Sequence, residues 1–278
     1  MFVIKNFQPR TYQSSICKTI ESSNTLVVLP TGLGKTKIAI MAAVNRLNAI
    51  PGSKAVILTP TKPLTNQIYE EFKECADVEF ITQLTGAIPS IKRAILFSEA
   101  DIIIATPQTI QSDLQKNAIS LENVSLLCID EAHRSRIKFA NTIVTKSYLS
   151  QAKNPRILAL TASPGGTRQK IKEICENLTI EKAEIRTEDH EEVIPYIQKK
   201  EIEWVKVDLP EEFKETINLI ESVYSATVSK LRNYGLTKPV KLINKKDLLK
   251  FQLMMQAEIR YGNRSAFQKI SKVAQAIK

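Results

Sequence analysis

Short, continuously apolar runs recur through the first 200 residues and restrict what this chain can fold into. Most of them lack the alternation of a strand that has one solvated face. Strands buried on both faces of a parallel sheet have this composition, and the roughly 20 to 45 residues between runs leave room for crossover helices. The sequence therefore predicts an α/β fold, with a parallel sheet that carries helices on both faces. The runs cover residues 25–29, 55–59, 101–105, 126–129 and 157–161, and a weaker one covers 79–84.

Apolar residues at helical spacing occupy the segments between these runs. Pro63 begins one such segment, and the first turn of a helix tolerates a residue without an N–H group. The connections therefore have the character of the crossover helices that a parallel sheet needs. Helices are predicted over residues 35–47, 63–75, 91–97, 139–150 and 167–178.

The pattern changes after Pro195. Residues 201–209 are typical of a strand or an extended connector, because apolar and polar side chains alternate there. The segment 208–212 then combines an Asp, a proline and two Glu residues, which favour the start of a helix. Apolar residues spaced three or four apart continue from there to Leu231 and predict an amphipathic helix.

Two more helices are predicted in the last part of the chain, over residues 247–261 and 265–278. We therefore expect two domains, an α/β domain over residues 1–209 and a partial helical domain over residues 210–278. The second carries 13 basic and 6 acidic side chains, and so holds most of the net charge of +10. A basic module suits a polyanionic partner, and a solvated, lysine-rich surface explains the same composition.

The composition excludes several classes of protein. The four cysteines lie far apart without a Cys-x-x-Cys pair, and there are only two histidines. Neither a disulfide framework nor a histidine-based metal site is expected. The chain begins without an apolar signal segment, and its apolar runs fall far short of the roughly 20 residues that a membrane span needs. These features predict a cytoplasmic protein that has no membrane partner.

The sequence Leu-Pro-Thr-Gly-Leu-Gly-Lys-Thr at residues 29–36 follows a predicted strand and precedes a predicted helix. Glycines in such a loop let backbone N–H groups converge on phosphate oxygens, and the helix N-terminus adds a positive end. Lys35 is expected to reach the β and γ phosphates, and the hydroxyl of Thr36 to hold Mg²⁺. The predicted nucleotide-binding residues of this loop are Thr31, Gly32, Leu33, Gly34, Lys35 and Thr36.

Asp130 and Glu131 directly follow the apolar run at residues 126–129. Strand ends in an open parallel sheet face the ligand crevice. Asp130 is therefore placed to bind Mg²⁺ through its water shell, and Glu131 to orient and deprotonate the water that attacks the γ phosphate. Together with Lys35 they are the predicted catalytic residues of an enzyme that uses ATP and Mg²⁺. An ordinary acidic turn is the alternative interpretation.

In combination these segments resemble the first RecA-like half of a superfamily 2 helicase. The leucine at the first position of the loop 29–36, where the usual pattern has glycine, also points toward helicases. The segments after the DEAHR motif are similar to the archaeal Hef helicases and the Fanconi-anaemia group M proteins, with Dicer and RIG-I-like helicase domains more distant. The resemblance implies a RecA-like fold followed by the start of a helical insertion domain. It rests on the motifs LPTGLGKT, TPTKPLTNQ, ATPQTI, DEAHR and TASPGG.

The resemblance assigns further residues around the nucleotide. Arg10 and Gln13 match the element that reads adenine, in which the Gln13 amide would bond the edge of the base. Thr161 and Ser163 match the segment that couples nucleotide state to nucleic-acid binding, with His133 as its partner. An ordinary structural histidine is the alternative for His133.

Three loops match those that contact the nucleic-acid backbone in the same family. Each follows a predicted strand, where N–H groups and hydroxyls can hold a phosphate without reading the base sequence. Singly, each is an ordinary turn, but their order along the chain favours phosphate contact. The residues concerned are Pro60, Thr61, Gln67, Gly86, Thr106 and Pro107.

The resemblance implies an ATP-dependent helicase or translocase acting on forked or branched DNA. In this family a second RecA-like domain supplies arginines to the ATP site, which speed phosphoryl transfer. No such domain is visible, so we expect an N-terminal fragment that binds ATP and hydrolyses it slowly. The alternatives are a RIG-I-like ATPase switch that binds double-stranded RNA and a nonenzymatic nucleotide-binding half.

Overall fold

The structure is a computed structural model, and the residues that it describes are 1–135, 139–162, 168–197, 203–232 and 235–260. The chain divides into two compact units, residues 1–199 and residues 200–278. The sequence-based boundary was placed later, between residues 209 and 210. Ser163 and the helix predicted from residue 265 onward lie outside the described residues.

The apolar runs predict most strands of the first unit at their observed positions. In chain order the strands are β1 Val3–Ile4, β2 Thr25–Val28, β3 Lys54–Leu58, β4 Ala76–Asp77, β5 Ile81–Leu84, β6 Ile102–Ala105, β7 Val124–Ile129, β8 Ile157–Thr161 and β9 Lys182–Ile185. The structure thus adds three short strands to those that the runs predict, β1, β4 and β9. Seven of them form one sheet in the order β5-β6-β3-β7-β8-β2-β9, and every neighbouring pair is parallel. Strands β1 and β4 form a separate antiparallel pair.

The helices of the first unit connect these strands and cover both faces of the sheet. They are α1 Thr11–Ser22, α2 Lys35–Ala49, α3 Lys62–Cys75, α4 Ser90–Glu99, α5 Pro107–Gln115, α6 Ala140–Gln151 and α7 Arg168–Leu178. Helices α1 to α3 pack on one face and α4 to α7 on the other, each with its own apolar cluster. Adjacent residues of one strand serve the two clusters, for example Val27 and Val28 of β2. The continuously apolar runs are thereby explained, because every side chain of β2, β6, β7 and β8 is buried. The predicted RecA-like α/β fold is confirmed.

The second unit contains helices α8, Glu211–Arg232, and α9, Lys245–Arg260. Val228 and Leu231 of α8 pack with Phe251 and Met255 of α9 in a small apolar cluster. Residues 203–210 have no regular secondary structure, so the strand alternative for the segment before α8 is wrong over these residues. No helix in the described part of the chain is both long and apolar enough to cross a lipid bilayer.

Candidate functional site

The predicted site residues gather at one edge of the sheet, where the carboxyl ends of its strands lie side by side. Val28 of β2 is paired with Thr161 of β8, and Leu58 of β3 is paired with Ile129 of β7. The loops after β2, β7 and β8 are neighbours and carry the predicted nucleotide residues other than Arg10 and Gln13, which lie at the start of α1. The loops after β3, β5 and β6 are the next neighbours and carry most of the predicted nucleic-acid residues.

The loop 29–36 turns sharply between β2 and α2. Gly32 and Gly34 have φ angles of 86° and 74°, a left-handed conformation that glycine adopts without steric cost. Gly34 is the N-cap of α2, so the free N–H groups of the first helical turn face the loop. The ammonium of Lys35 lies inside the loop and donates to the carbonyls of Leu29, at 2.9 Å, and Pro30, at 3.2 Å. This geometry is that of an anion-binding loop.

Leu29 shows why the first glycine of the usual loop pattern is not needed here. Its N–H donates to the carbonyl of Thr161 at 3.0 Å, which extends the β2–β8 pairing by one residue. Its side chain is fully buried in the apolar cluster beneath α1 and α2. The position therefore belongs to the sheet and the core, and an apolar residue stabilises it.

Asp130 and Glu131 lie close enough to the loop to interact with Lys35 electrostatically. Burial raises the pKa of Asp130 above its usual value and the negative charge of Glu131 adds to this, whereas the backbone N–H of Glu131 and the ammonium of Lys35 oppose the rise. Burial likewise lowers the pKa of Lys35, against the attraction of the two carboxylates. The basic loop and the acidic pair are thus close enough to influence each other's charge.

Glu131 has an unusual backbone, with a φ of 52° in the left-handed region. Such a conformation costs a residue with a side chain about 1 to 2 kcal/mol and is found at functional sites. It brings the Glu131 carboxylate within 3.0 Å of Nδ1 of His133. The same nitrogen lies 3.1 Å from the hydroxyl of Thr161. His133 therefore connects the acidic pair to the end of β8, the contact expected of a coupling residue.

Gln13 lies against the phosphate loop and is 2% exposed. Its Oε1 accepts a hydrogen bond of 2.9 Å from the backbone N–H of Arg10. Its Nε2 donates more weakly to the carbonyls of Leu33, at 3.5 Å, and Gly34, at 3.4 Å. A Cβ atom on Gly34 would lie 2.5 Å from that nitrogen, so only glycine admits the amide at this distance. The predicted adenine-reading residues are thus adjacent to the loop.

Most of the predicted nucleic-acid residues lie at two helix starts and one turn. Thr61 is the exposed N-cap of α3, Thr106 is the N-cap of α5, and Pro107 begins α5. Gly86 is exposed in the turn after β5, whereas Gln67 is exposed one turn into α3 rather than at its start. The N-termini of α3 and α5 therefore present free N–H groups beside each other at this edge.

A buried ion pair beneath these loops was not predicted from the sequence. Arg93 of α4 donates to both carboxylate oxygens of Asp113 in α5, at 2.6 Å from Nε and 2.5 Å from Nη2. The hydroxyl of Ser90 donates to the same carboxylate at 2.8 Å, and Arg93 also donates to the carbonyl of Ile88. The pair fixes α4 against α5 and so positions the turns that precede them. No sequence pattern marks two residues so far apart as partners.

The residues around the loop fit a magnesium ion in the form that nucleotide sites use. The Thr36 hydroxyl and the Asp130 carboxylate are hard oxygen donors, and Mg²⁺ in such sites takes its other ligands from phosphates and water. The raised pKa of Asp130 reflects a half-buried carboxylate with too little positive charge around it, which a divalent cation would supply. No cluster of three or more His, Cys, Asp or Glu side chains able to hold a metal occurs in the described residues. A dedicated all-protein metal site is therefore not seen in that part of the chain.

The profile of the DEAD/DEAH box helicase family matches residues 10–171, which span Gln13, the phosphate loop, the acidic pair and Thr161. The chain belongs to this family. Membership implies that the nucleotide is ATP. The resemblance to a superfamily 2 helicase is therefore confirmed.

Several relatives refine this placement within the DEAD/DEAH box family. The chain is 39% identical over 247 residues to a Methanocaldococcus jannaschii protein that carries the name of an ATP-dependent RNA helicase, and covers 31% of it. It is 34% identical over 256 residues to the ATP-dependent DNA helicase fml1 of Schizosaccharomyces pombe, and covers 30% of it. These matches take in 88% and 90% of the present chain. The chain therefore spans about a third of the length of these relatives.

The crystal structure of the Pyrococcus furiosus Hef helicase domain is similar to 97% of this chain, with a TM-score of 0.70 and 40% sequence identity. The chain covers 57% of that domain. The narrower resemblance to Hef helicases is therefore confirmed as well.

Proposed function

We propose that this chain is the ATP-binding half of a DNA helicase or translocase that acts on forked or branched DNA. The observation that carries the proposal is the arrangement of one sheet edge. The phosphate loop and the acidic pair form an ATP site there, and the two helix N-termini next to it suit a nucleic-acid backbone. ATP turnover and strand movement would then act on neighbouring loops of one rigid sheet.

In the proposed reaction each polar group of the ATP site has one task. The ammonium of Lys35 exchanges its two carbonyl partners for β and γ phosphate oxygens. Thr36 and Asp130 would hold Mg²⁺, which offsets the negative charge of the phosphates when it is bound. Glu131 accepts the proton of the attacking water, and His133 holds the Glu131 carboxylate in position. Arginines from a second RecA-like domain would be needed for fast turnover.

Three observations support a nucleic-acid partner, the first of them at the adjacent loops. The hydroxyl of Thr61 has no hydrogen-bond partner among the described residues, and the helix start behind it is exposed. The chain carries a net charge of +10, which favours polyanions. Among the relatives, fml1 of Schizosaccharomyces pombe and Fancm of Drosophila melanogaster are named as DNA helicases.

The nucleotide half of the proposal is tested by titrating the chain with a fluorescent ATP analogue and Mg²⁺. Lys35→Ala is expected to abolish binding, because the ammonium is the main positive charge of the loop. Lys153→Ala is the matched control, since this exposed lysine pairs with Glu122 near the opposite edge of the sheet. Equal affinities for the two variants would refute the site.

The nucleic-acid half is tested with labelled forked DNA, single-stranded DNA and double-stranded RNA in an anisotropy assay. Thr61→Glu places a negative charge at the start of α3 and is expected to weaken DNA binding about tenfold. Ser98→Glu is the control, because Ser98 is exposed at the end of α4, near the amino ends of the strands. Preferred binding of double-stranded RNA would favour the RNA-dependent alternative, for which the name of the Methanocaldococcus jannaschii relative is an argument. Equal losses in both variants would remove the proposed interface.

A further inference from the structure

The last segment of the first unit, residues 186–197, returns to the nucleotide side of the sheet and is here called the strap. It follows β9 and ends in a short 3₁₀ helix at Ile194–Tyr196. Val193 is fully buried in the apolar cluster of α1 and α2. Arg186 forms salt bridges with Glu184, at 3.0 Å, and with Glu192, at 3.2 Å. The first joins the start of the strap to β9, and the second joins it to a later residue of the strap. The strap is thus held at two places by contacts of its own.

Tyr196, near the end of the strap, lies against the first turn of α1. The guanidinium carbon of Arg10 is 4.4 Å from the centre of the Tyr196 ring, which is a cation–π contact. The ring of Tyr12 meets the same ring edge-on, with the centres 5.8 Å apart and the planes at 63°. The Arg10 guanidinium therefore lies over the Tyr196 ring.

Arg10 is in turn connected to the phosphate loop. Its Nη1 donates to the Tyr12 hydroxyl at 3.0 Å, and that hydroxyl donates to the carbonyl of Leu33 at 2.7 Å. Tyr12 is fully buried, so its hydroxyl holds the Arg10 guanidinium at a fixed place beside the loop. The guanidinium is held beside the loop by its hydrogen bond to Tyr12 and against Tyr196 by the cation–π contact.

A guanidinium is planar and stacks on flat π systems through both of its faces. Stacking of the Arg10 guanidinium on Tyr196 would leave its other face available to a second flat group. The base of a nucleotide whose phosphates occupy the loop is a flat group at the correct end of the site. Tyr196 orients this second face and reduces the entropy that Arg10 would lose on stacking.

We propose that Tyr196 is a positioning residue of the base pocket, which holds Arg10 so that its open face stacks on the adenine of ATP. The inference rests on the proposed ATP site and its reading of adenine by Arg10 and Gln13. It makes the strap part of the nucleotide site.

The experiment compares displacement of a fluorescent ATP analogue from the chain by ATP and by inorganic tripolyphosphate. Tripolyphosphate fills the loop but has no base, so it reports damage to the phosphate site alone. Tyr196→Ala and Tyr196→Leu are both expected to weaken ATP roughly 3- to 30-fold and to leave tripolyphosphate unchanged. Tyr196→Phe keeps the ring and should match the unaltered chain.

Tyr69→Ala is the matched control, because Tyr69 takes part in another cation–π contact, with Lys73 at 5.3 Å on α3. It should change neither affinity. Unaltered ATP affinity in Tyr196→Ala and Tyr196→Leu would overturn the inference, and so would a parallel loss for ATP and tripolyphosphate. Arg10→Ala distinguishes the role of Tyr196 from the proposed reading of adenine. If it weakens ATP selectively while the Tyr196 variants do not, the inference alone fails; if it has no selective effect, the proposed reading of adenine fails.

Discussion

The buried pair of Arg93 and Asp113 gives the sharpest prediction of stability. Asp113 is fully buried and Arg93 is 6% exposed, and the carboxylate accepts three hydrogen bonds of 2.5 to 2.8 Å. Asp113→Asn keeps the size of the side chain but removes its charge. It also replaces one acceptor oxygen by an N–H₂ group, which then faces the N–H groups of Arg93. Breaking a buried pair in this way costs about 3 to 5 kcal/mol, because the guanidinium stays buried without compensation. For a chain of this size the melting temperature should fall by about 6 to 20 °C.

Thermal unfolding followed by far-UV circular dichroism is the suitable assay. The single tryptophan, Trp204, lies 91% exposed outside the first unit, so its fluorescence would not report on that unit. The double variant Arg93→Met with Asp113→Leu is the control. It removes both charges, and we expect it to recover most of the lost stability, since apolar replacements of a buried pair are often neutral. A single variant within about 1 kcal/mol of the unaltered chain, or a double variant as unstable as the single one, would refute the reasoning.

The same pair predicts a dependence on pH. Burial alone would raise the pKa of Asp113, but the hydrogen bonds from Arg93 and Ser90 and the charge of Arg93 lower it below its usual value. A carboxyl group with a lowered pKa in the folded state stabilises the fold above its unfolded pKa, about 3.9. That stability disappears as the pH falls through the lower, folded value. The difference between the unaltered chain and Asp113→Asn should therefore be complete at neutral pH and shrink only below about pH 4. An equal difference at pH 7 and at pH 3 would contradict this account.

Three further predictions concern the nucleotide site. Glu131→Gln should keep ATP affinity and lower the rate of ATP turnover about 10²- to 10⁴-fold, measured as phosphate release. A rate close to that of the unaltered chain would exclude Glu131 as the base. Gly34→Ala should destabilise the chain by about 1 to 2 kcal/mol, measured by thermal unfolding. It should also weaken ATP binding more than tripolyphosphate binding in the displacement assay, because the new Cβ displaces the Gln13 amide. Equal losses of affinity for the two ligands would contradict this effect on Gln13. His133→Ala should leave ATP binding intact but reduce the change in DNA affinity that ATP causes, as measured by anisotropy with and without ATP. An unchanged effect of ATP would assign His133 a purely structural part.

The central strands could be predicted, and the place of the candidate site could be expected, because each leaves a strong local signal. A strand that is buried on both faces is apolar throughout, as residues 102–105 and 126–129 are. Parallel strands also bring their carboxyl ends to one edge, so residues that follow different strands must meet there. The contact of His133 with Thr161 follows from that rule, although the two lie far apart along the chain.

Other elements gave weaker signals. β9 is an edge strand whose side chains are mostly exposed, so Lys182 to Ile185 contain no apolar run. Helix α5 has nine residues, too few for a helical period to stand out. The alternation at residues 201–209 predicts a strand or an extended connector. The described part, residues 203–209, has no regular secondary structure, and Trp204 and Val207 are largely exposed. Alternation alone does not make a strand where no partner strand is available.

The partners of single side chains were beyond prediction. Tyr196 follows an acidic stretch and belongs to no periodic pattern, and its contact with Arg10 depends on the return of the strap to α1. Asp113 has the sequence surroundings of an ordinary surface residue on a helix. Its burial follows from the packing of α4 against α5, which a linear pattern does not encode.

Two rungs of the main-chain ladder extend beyond the ends of their strands. The peptide N–H of Leu29 is bonded to the carbonyl of Thr161, and that of Asp130 to the carbonyl of Leu58 at 2.9 Å. The first residue of the phosphate loop and the first carboxylate are thereby anchored through peptide groups, which every amino acid except proline provides. The main-chain framework at this end of the sheet can therefore persist while its side chains diverge. A sequence pattern that requires glycine at position 29 would miss a phosphate loop whose main-chain bonds are all present.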